Sequence, residues 1–177
     1  MKNVLMSTLI AIGLTFTVSK SVAGPMGASF TDPAWDGKSV PEGQQCQKFG
    51  GENPLSPEIK VVGIPEGTEA IVVKFNDESY QNMNYGGHGK LAVLIEPGVT
   101  EMVFPSVIGH SFDLPEGVIM ISAHQAPNWD KKGAYMPPCS GGKRNRYTAT
   151  IEASKIKNLE KKKFKKIKKI KIQMGKY

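Results

Sequence analysis

The residues best suited to chemistry are few: His88, His110 and His124, and the cysteines Cys46 and Cys139. His88 is the most suggestive, because it sits in "NYGGHGKLAVLI" (Asn84 to Ile95) with Gly86, Gly87 and Gly89 around it. Glycine removes side chains, so a ligand could approach the imidazole closely; the plainer reading is a turn that happens to carry a histidine. The three histidines are far apart and lack metal-ligand spacing. There is no Gly-x-Ser-x-Gly elbow, no His-Glu-x-x-His and no Cys-x-x-Cys. Nothing pairs a nucleophile with a base. The expectation is a protein without enzymatic activity, and no catalytic residue, metal ligand or cofactor is assigned. Three loops instead gather Gly, Pro, Asn and Tyr: Phe75–Ser79, Gly86–Gly89 and Ala134–Tyr147. Exposed backbone N–H groups can cradle an anion, and prolines and tyrosines can make a rigid apolar rim.

The segments that must position these loops are short, β-branched and bounded by turn residues. Glu69–Phe75, Lys90–Ile95, Thr100–Phe104 and Gly117–Ala123 read as strands, separated by Pro65-Glu66-Gly67, Pro97-Gly98 and Pro115-Glu116-Gly117. Arg146–Ser154 alternates, with Tyr147, Ala149, Ile151 and Ala153 on one face and Thr148, Thr150, Glu152 and Ser154 on the other. No helix of three turns is evident in the body of the chain. The fold class expected is mostly β.

Residues 1–23 read as a signal peptide. Lys2 begins it, Val4–Val18 is almost wholly apolar, and Ser21-Val22-Ala23 offers small residues for a cut after Ala23. A periplasmic or secreted protein is expected. Of 177 residues this leaves 154, enough for one domain with a core. In an oxidising compartment an even pair of cysteines reads as a disulfide; two free thiols are the alternative.

The net charge of +7 hides two opposite regions. Residues 155–177 carry eleven lysines against Glu160, whereas residues 21–154 carry ten Lys and Arg against fifteen Asp and Glu. The extension at 156–177 fits either a basic amphipathic helix or a strand. The strand also explains Ile172, so a hairpin returning on residues 146–154 is favoured. Lysines would then guard a sheet edge. Weak contact with an anionic membrane surface is the expected use of this charge, and nucleic acid is not the expected partner.

The order of these pieces resembles the bacterial phosphatidylethanolamine-binding proteins, the Raf kinase inhibitor-like group. The resemblance runs through Ala28–Cys46, Gly50–Val73, Asn128–Cys139 and Lys143–Ala153. It implies a single-domain antiparallel β-sandwich over residues 24–155, with few short helices. It also implies a small pocket for an anionic ligand or phospholipid headgroup, lined by His88, Asn76, Glu78, Pro138, Asn145 and Tyr147. It brings the Cys46 and Cys139 loops together for a disulfide. This chain departs from the family pattern at the site: Asn76 replaces the first acid, Gly89 a tryptophan, Ser140-Gly141 a proline pair and Asn145 a histidine. The amides keep hydrogen-bonding capacity where titratable groups are lost.

Overall fold

The computed structural model describes residues 24–177. The signal peptide read at residues 1–23 lies outside the described residues. Eight strands succeed one another in the chain: β1 (Gly27–Phe30), β2 (Ile59–Val62), β3 (Ala70–Asp77), β4 (Lys90–Leu94), β5 (Glu101–Phe104), β6 (Val118–Ser122), β7 (Arg146–Asn158) and β8 (Lys163–Lys176). Two single turns of 3-10 helix, Gln47–Phe49 and Gln81–Met83, are the helical elements among the described residues.

The strands form two antiparallel sheets, one of three strands in the order β1-β2-β5 and one of five in the order β6-β4-β3-β7-β8. Each buries one face against the other, because neither can hide its apolar residues alone. Ile59, Val61 and Phe104 come from the small sheet. Ile71, Val73 and Phe75 of β3, Leu91 of β4, and Ala149, Ile151 and Ala153 of β7 come from the large one. Tyr135 crosses from a loop to pack on Phe75, ring centres 4.6 Å apart.

The strand period decides what faces where. On β3, Ile71, Val73 and Phe75 point inward, so Asp77 continues their row toward the end of the sandwich. Lys74 and Asn76 point to the outer face. The β3–β7 register places Asp77 opposite Tyr147 and Asn76 opposite Thr148.

The Lys-rich extension is β8, paired antiparallel with β7 from Arg146 opposite Lys176 to Asn158 opposite Lys163. Ala149 lies opposite Ile172 and Ile151 opposite Ile170, so the alternating isoleucines continue the inner face. β3 leaves β7 at Ser154. Beyond it, residues 155–166 form strand pairs only within their own hairpin, a two-stranded arm held at its base by Ile156 N–H donating to the Glu69 carboxylate at 2.7 Å.

Candidate functional site

A cavity of about 450 Å³ opens at the end of the sandwich where Asp77 and Tyr147 sit side by side. Its polar lining is Asp77, Ser79, His88, Ser140, Lys143, Asn145 and Tyr147; its apolar wall is Met83, Ala126, Met136 and Trp129. Two loops close over the strand ends. One is the glycine turn before β4, the other the segment 134–145.

The glycines around His88 serve the backbone. A Cβ on Gly87 would collide with the main chain of Met83, and one on Gly89 would strike the Ala134 carbonyl. Gly89 also sits at φ +126°, which L side chains rarely adopt. These positions let the turn press against both neighbours, and His88 is thereby buried, 3 % exposed, rather than open. The histidine and Met136 are cross-linked twice: Met136 N–H donates to the His88 carbonyl at 2.9 Å, and His88 Nδ1 donates to the Met136 carbonyl at 2.7 Å.

That second bond fixes the tautomer, since a carbonyl can only accept. Burial pushes the imidazole down to about 4, against the opposing pull of the Met136 carbonyl and the Asp77 charge. His88 is therefore neutral near pH 7, with Nε2 an acceptor that no protein group among the described residues meets. The Tyr147 ring stands edge-on to it, centroids 5.3 Å apart. Tyr147 accepts a hydrogen bond from Cys139 N–H at 3.0 Å. Burial holds its phenol above the ordinary value, and nearby Asp77 adds to the rise, so it remains a donor.

Asp77 is held open toward the cavity. Its Oδ2 accepts from Asn145 Nδ2 at 2.6 Å and its Oδ1 from Ser79 N–H at 2.8 Å. At the mouth, Trp129 donates from Nε1 to the Cys139 carbonyl, and the Lys48 ammonium lies over its indole, 3.7 Å from the ring centre. Such a stacked cation fixes the indole plane.

Cys46 and Cys139 form a disulfide, Cα atoms 5.1 Å apart, closing a separation of 93 residues. It ties the 46–51 loop to the cavity wall beneath Trp129. Asp130 lies against this disulfide, and neither sulfur is a thiolate available to a metal. His110 and His124 do not join His88. Both bond to the Lys131 carbonyl, at 3.2 and 3.0 Å, and brace the loop beside the disulfide.

Of the residues expected in the site, the structure brings together His88, Asn145 and Tyr147. Pro138 lies behind the wall, its carbonyl accepting from Cys46 N–H at 2.9 Å. Asn76 and Glu78 do not belong with them: they line a separate hollow on the outer face with Lys74, Glu152 and Lys171. The reason is strand phase. Asn76 donates to the Thr148 and Thr150 hydroxyls at 3.1 and 3.2 Å and accepts from Gly86 N–H at 2.6 Å. It pins the glycine turn to the sheet. Glu78 is ion-paired with Lys171 at 2.5 Å. The cavity carboxylate is Asp77, which matching to the family motif passes over. Its alternation with Ile71, Val73 and Phe75 is the available signal.

The architecture is that of the phosphatidylethanolamine-binding proteins, as the sequence resemblance implied. Among solved structures the chain is similar to Escherichia coli YbcL, described as a new member of the mammalian PEBP family. The TM-score is 0.56, covering 87% of this chain and 98% of that one at 20% identity. No protein-family profile and no curated protein sequence matches the chain.

Proposed function

We propose that the protein is a divergent, exported, non-enzymatic binding protein of the PEBP type, with the His88 cavity taking a small phosphate-bearing ligand of the phospholipid-headgroup kind. The observation that carries this reading is the pairing of opposite charges on one cavity: Asp77 buried within it and Lys143 at its edge. A zwitterion can set its ammonium on the Asp77 carboxylate and its phosphate toward Lys143 and the Tyr147 and Ser140 hydroxyls. The methionines and Trp129 supply apolar surface for the less polar remainder of the ligand. Buried Asp77 also disfavours a simple anion lodged at the floor. Export is supported by the N-terminal segment and by the disulfide.

Titration calorimetry with phosphoethanolamine tests this. Asp77→Asn should weaken binding about tenfold, and Lys143→Gln less, because its ammonium stays in water. Equal binding by wild type and Asp77→Asn would overturn the reading.

A second reading rests on the projecting arm. Seven lysines of residues 155–166 surround exposed Leu159 and half-buried Ile156 and Phe164, a composition suited to an anionic membrane surface. Anionic vesicles should bind the wild type below about 0.1 M salt and release it as screening shortens the reach of charge. Binding unchanged by replacing the arm lysines with Gln would remove this reading.

A further inference from the structure

A third hollow, of about 390 Å³, lies beside the headgroup cavity and has a different character. It is lined by Gly37, Lys38, Ser39, Arg144, Arg146, Gln173, Gly175 and Lys176. Four of these side chains are cationic and none is acidic. Among the described residues, no ion pair engages Lys38, Arg144, Arg146 or Lys176. Asp36 is adjacent in sequence to this lining and feels the Lys38 charge. It turns back to accept from Lys38 and Ser39 N–H at 2.8 and 3.1 Å, which holds its carboxyl below the ordinary value.

Three segments remote in sequence are brought together to make this lining. Lys176 N–H donates to the Lys38 carbonyl at 3.0 Å, Val40 N–H to the Lys176 carbonyl at 3.1 Å, and Tyr177 N–H to the Asn145 carbonyl at 3.2 Å. Arg146 and Lys176 are directly opposite in the β7–β8 ladder. Like charges placed so are destabilising unless something neutralises them. The segment Lys143-Arg144-Asn145-Arg146 also alternates between sites: Lys143 and Asn145 line the headgroup cavity, Arg144 and Arg146 the cationic hollow. Arg144 reaches its side through a left-handed backbone, φ +61°, a conformation that costs a non-glycine residue free energy.

We infer that this hollow is a second binding site, distinct from the His88 cavity, for a ligand carrying two or more phosphate groups close together. Two guanidinium forks can each grip a phosphate through paired N–H donors, and two ammonium groups add charge without fixed direction. A single phosphate would engage only part of this set. The charge is solvent-exposed, so affinity must come from convergence of several contacts and must fall with salt.

Tripolyphosphate and orthophosphate serve as probes, measured by calorimetry on the whole mature protein. Tripolyphosphate should bind at least about tenfold more tightly than orthophosphate, and should weaken about tenfold between roughly 0.05 and 0.3 M salt. Arg144→Gln/Arg146→Gln should lose at least about tenfold in affinity. Lys163→Gln/Lys165→Gln on the arm should leave it unchanged. Amide shifts of the wild type on adding tripolyphosphate should centre on residues 37–39, 144–146 and 173–176, which tests the site without any substitution. Equal affinity for the two probes, loss through the arm variant alone, or shifts centred on the His88 cavity would each overturn the proposal.

Discussion

Two adjacent residues of β3 serve opposite sides of one sheet, and they are used in opposite ways. On the outer face the Asn76 amide has its donors shared among Thr148, Thr150 and backbone carbonyls and its oxygen taken by Gly86. Around it the charges are consumed locally, Lys74 on Glu152 at 2.8 Å and Lys171 on Glu78. On the inner face Asp77 is equally buried, 4 % against 3 % exposed, yet it fronts a cavity beside an imidazole nitrogen without a partner among the described residues. Both regions are polar and hollow; around Asn76 the amide is fully engaged, whereas the inner cavity keeps the His88 Nε2 acceptor open. That is the physical difference between a polar group whose bonds are satisfied and one left with an open acceptor, and it is what the proposed function draws on.

The largest effect expected is on the inner side, where the cavity wall is stapled. Replacing both cysteines by alanine should lower unfolding free energy by about 4 kcal/mol, from the long loop the disulfide closes. Hydrogen exchange should then rise at the amides of residues 136, 139 and 140 and stay low at Thr148 and Thr150. A loss below about 1 kcal/mol, or a loss spread evenly over both faces, would break the contrast.

The next effect is on pH. His88 titrates at about 4 when folded and near 6.5 when unfolded. The unfolded chain therefore binds more protons between those values, and stability falls as pH drops through that window. The contribution is complete above about 6.5 and lost below about 4, worth about 3 kcal/mol. His124, also lowered by burial, acts in the same direction. Urea unfolding of His88→Gln from pH 7 to 4 should show a flatter decline than wild type; parallel curves would remove His88 as the cause.

Asn76→Ala should cost about 2 kcal/mol, by stranding Gly86 N–H and two threonine hydroxyls. Asp77→Asn should change stability by less than half of that and, on the proposed function, weaken phosphoethanolamine binding instead. Equal costs would erase the difference between the faces. The smallest effect belongs to the pair of half-exposed Lys171 and more buried Glu78, where Lys171→Gln should shift stability by about 0.5 kcal/mol or less.

Legibility in the chain divides along the same line. Strands β3 to β7 are legible because β-branched runs such as Ile71-Val72-Val73 are bounded by Pro-Gly turns. β1 (Gly27–Phe30) holds no β-branched residue and is reached only through the family resemblance; in β2, Lys60 breaks the apolar run just before Gly63-Ile64-Pro65. β8 is ambiguous because lysine satisfies a helix face and a strand edge alike; Ile172, placed opposite Ala149, resolves it. In the site, His88 stands out by its glycines, but these signal close packing of backbone on backbone, not room for a ligand. Asn76 and Glu78 come from matching letters to a motif, whereas the pleat selects Asp77. Met83, Trp129 and Lys143 come from separate loops, and no periodicity links them.

The pairing of β3 with β7 also sets an order of events in time. Ala70 must find Ser154, and three strands lie between them in the chain. The β7–β8 hairpin needs only the turn at 159–162 and can close within microseconds, whereas docking it on β3 must await a far longer search. Until then the middle strand of the large sheet, with Ile71, Val72 and Val73 in a row, presents an open edge. A chain interrupted before residue 146 would leave that edge permanently unpaired. Such fragments should therefore collect as aggregates, while the isolated hairpin, dense in lysine, stays in solution.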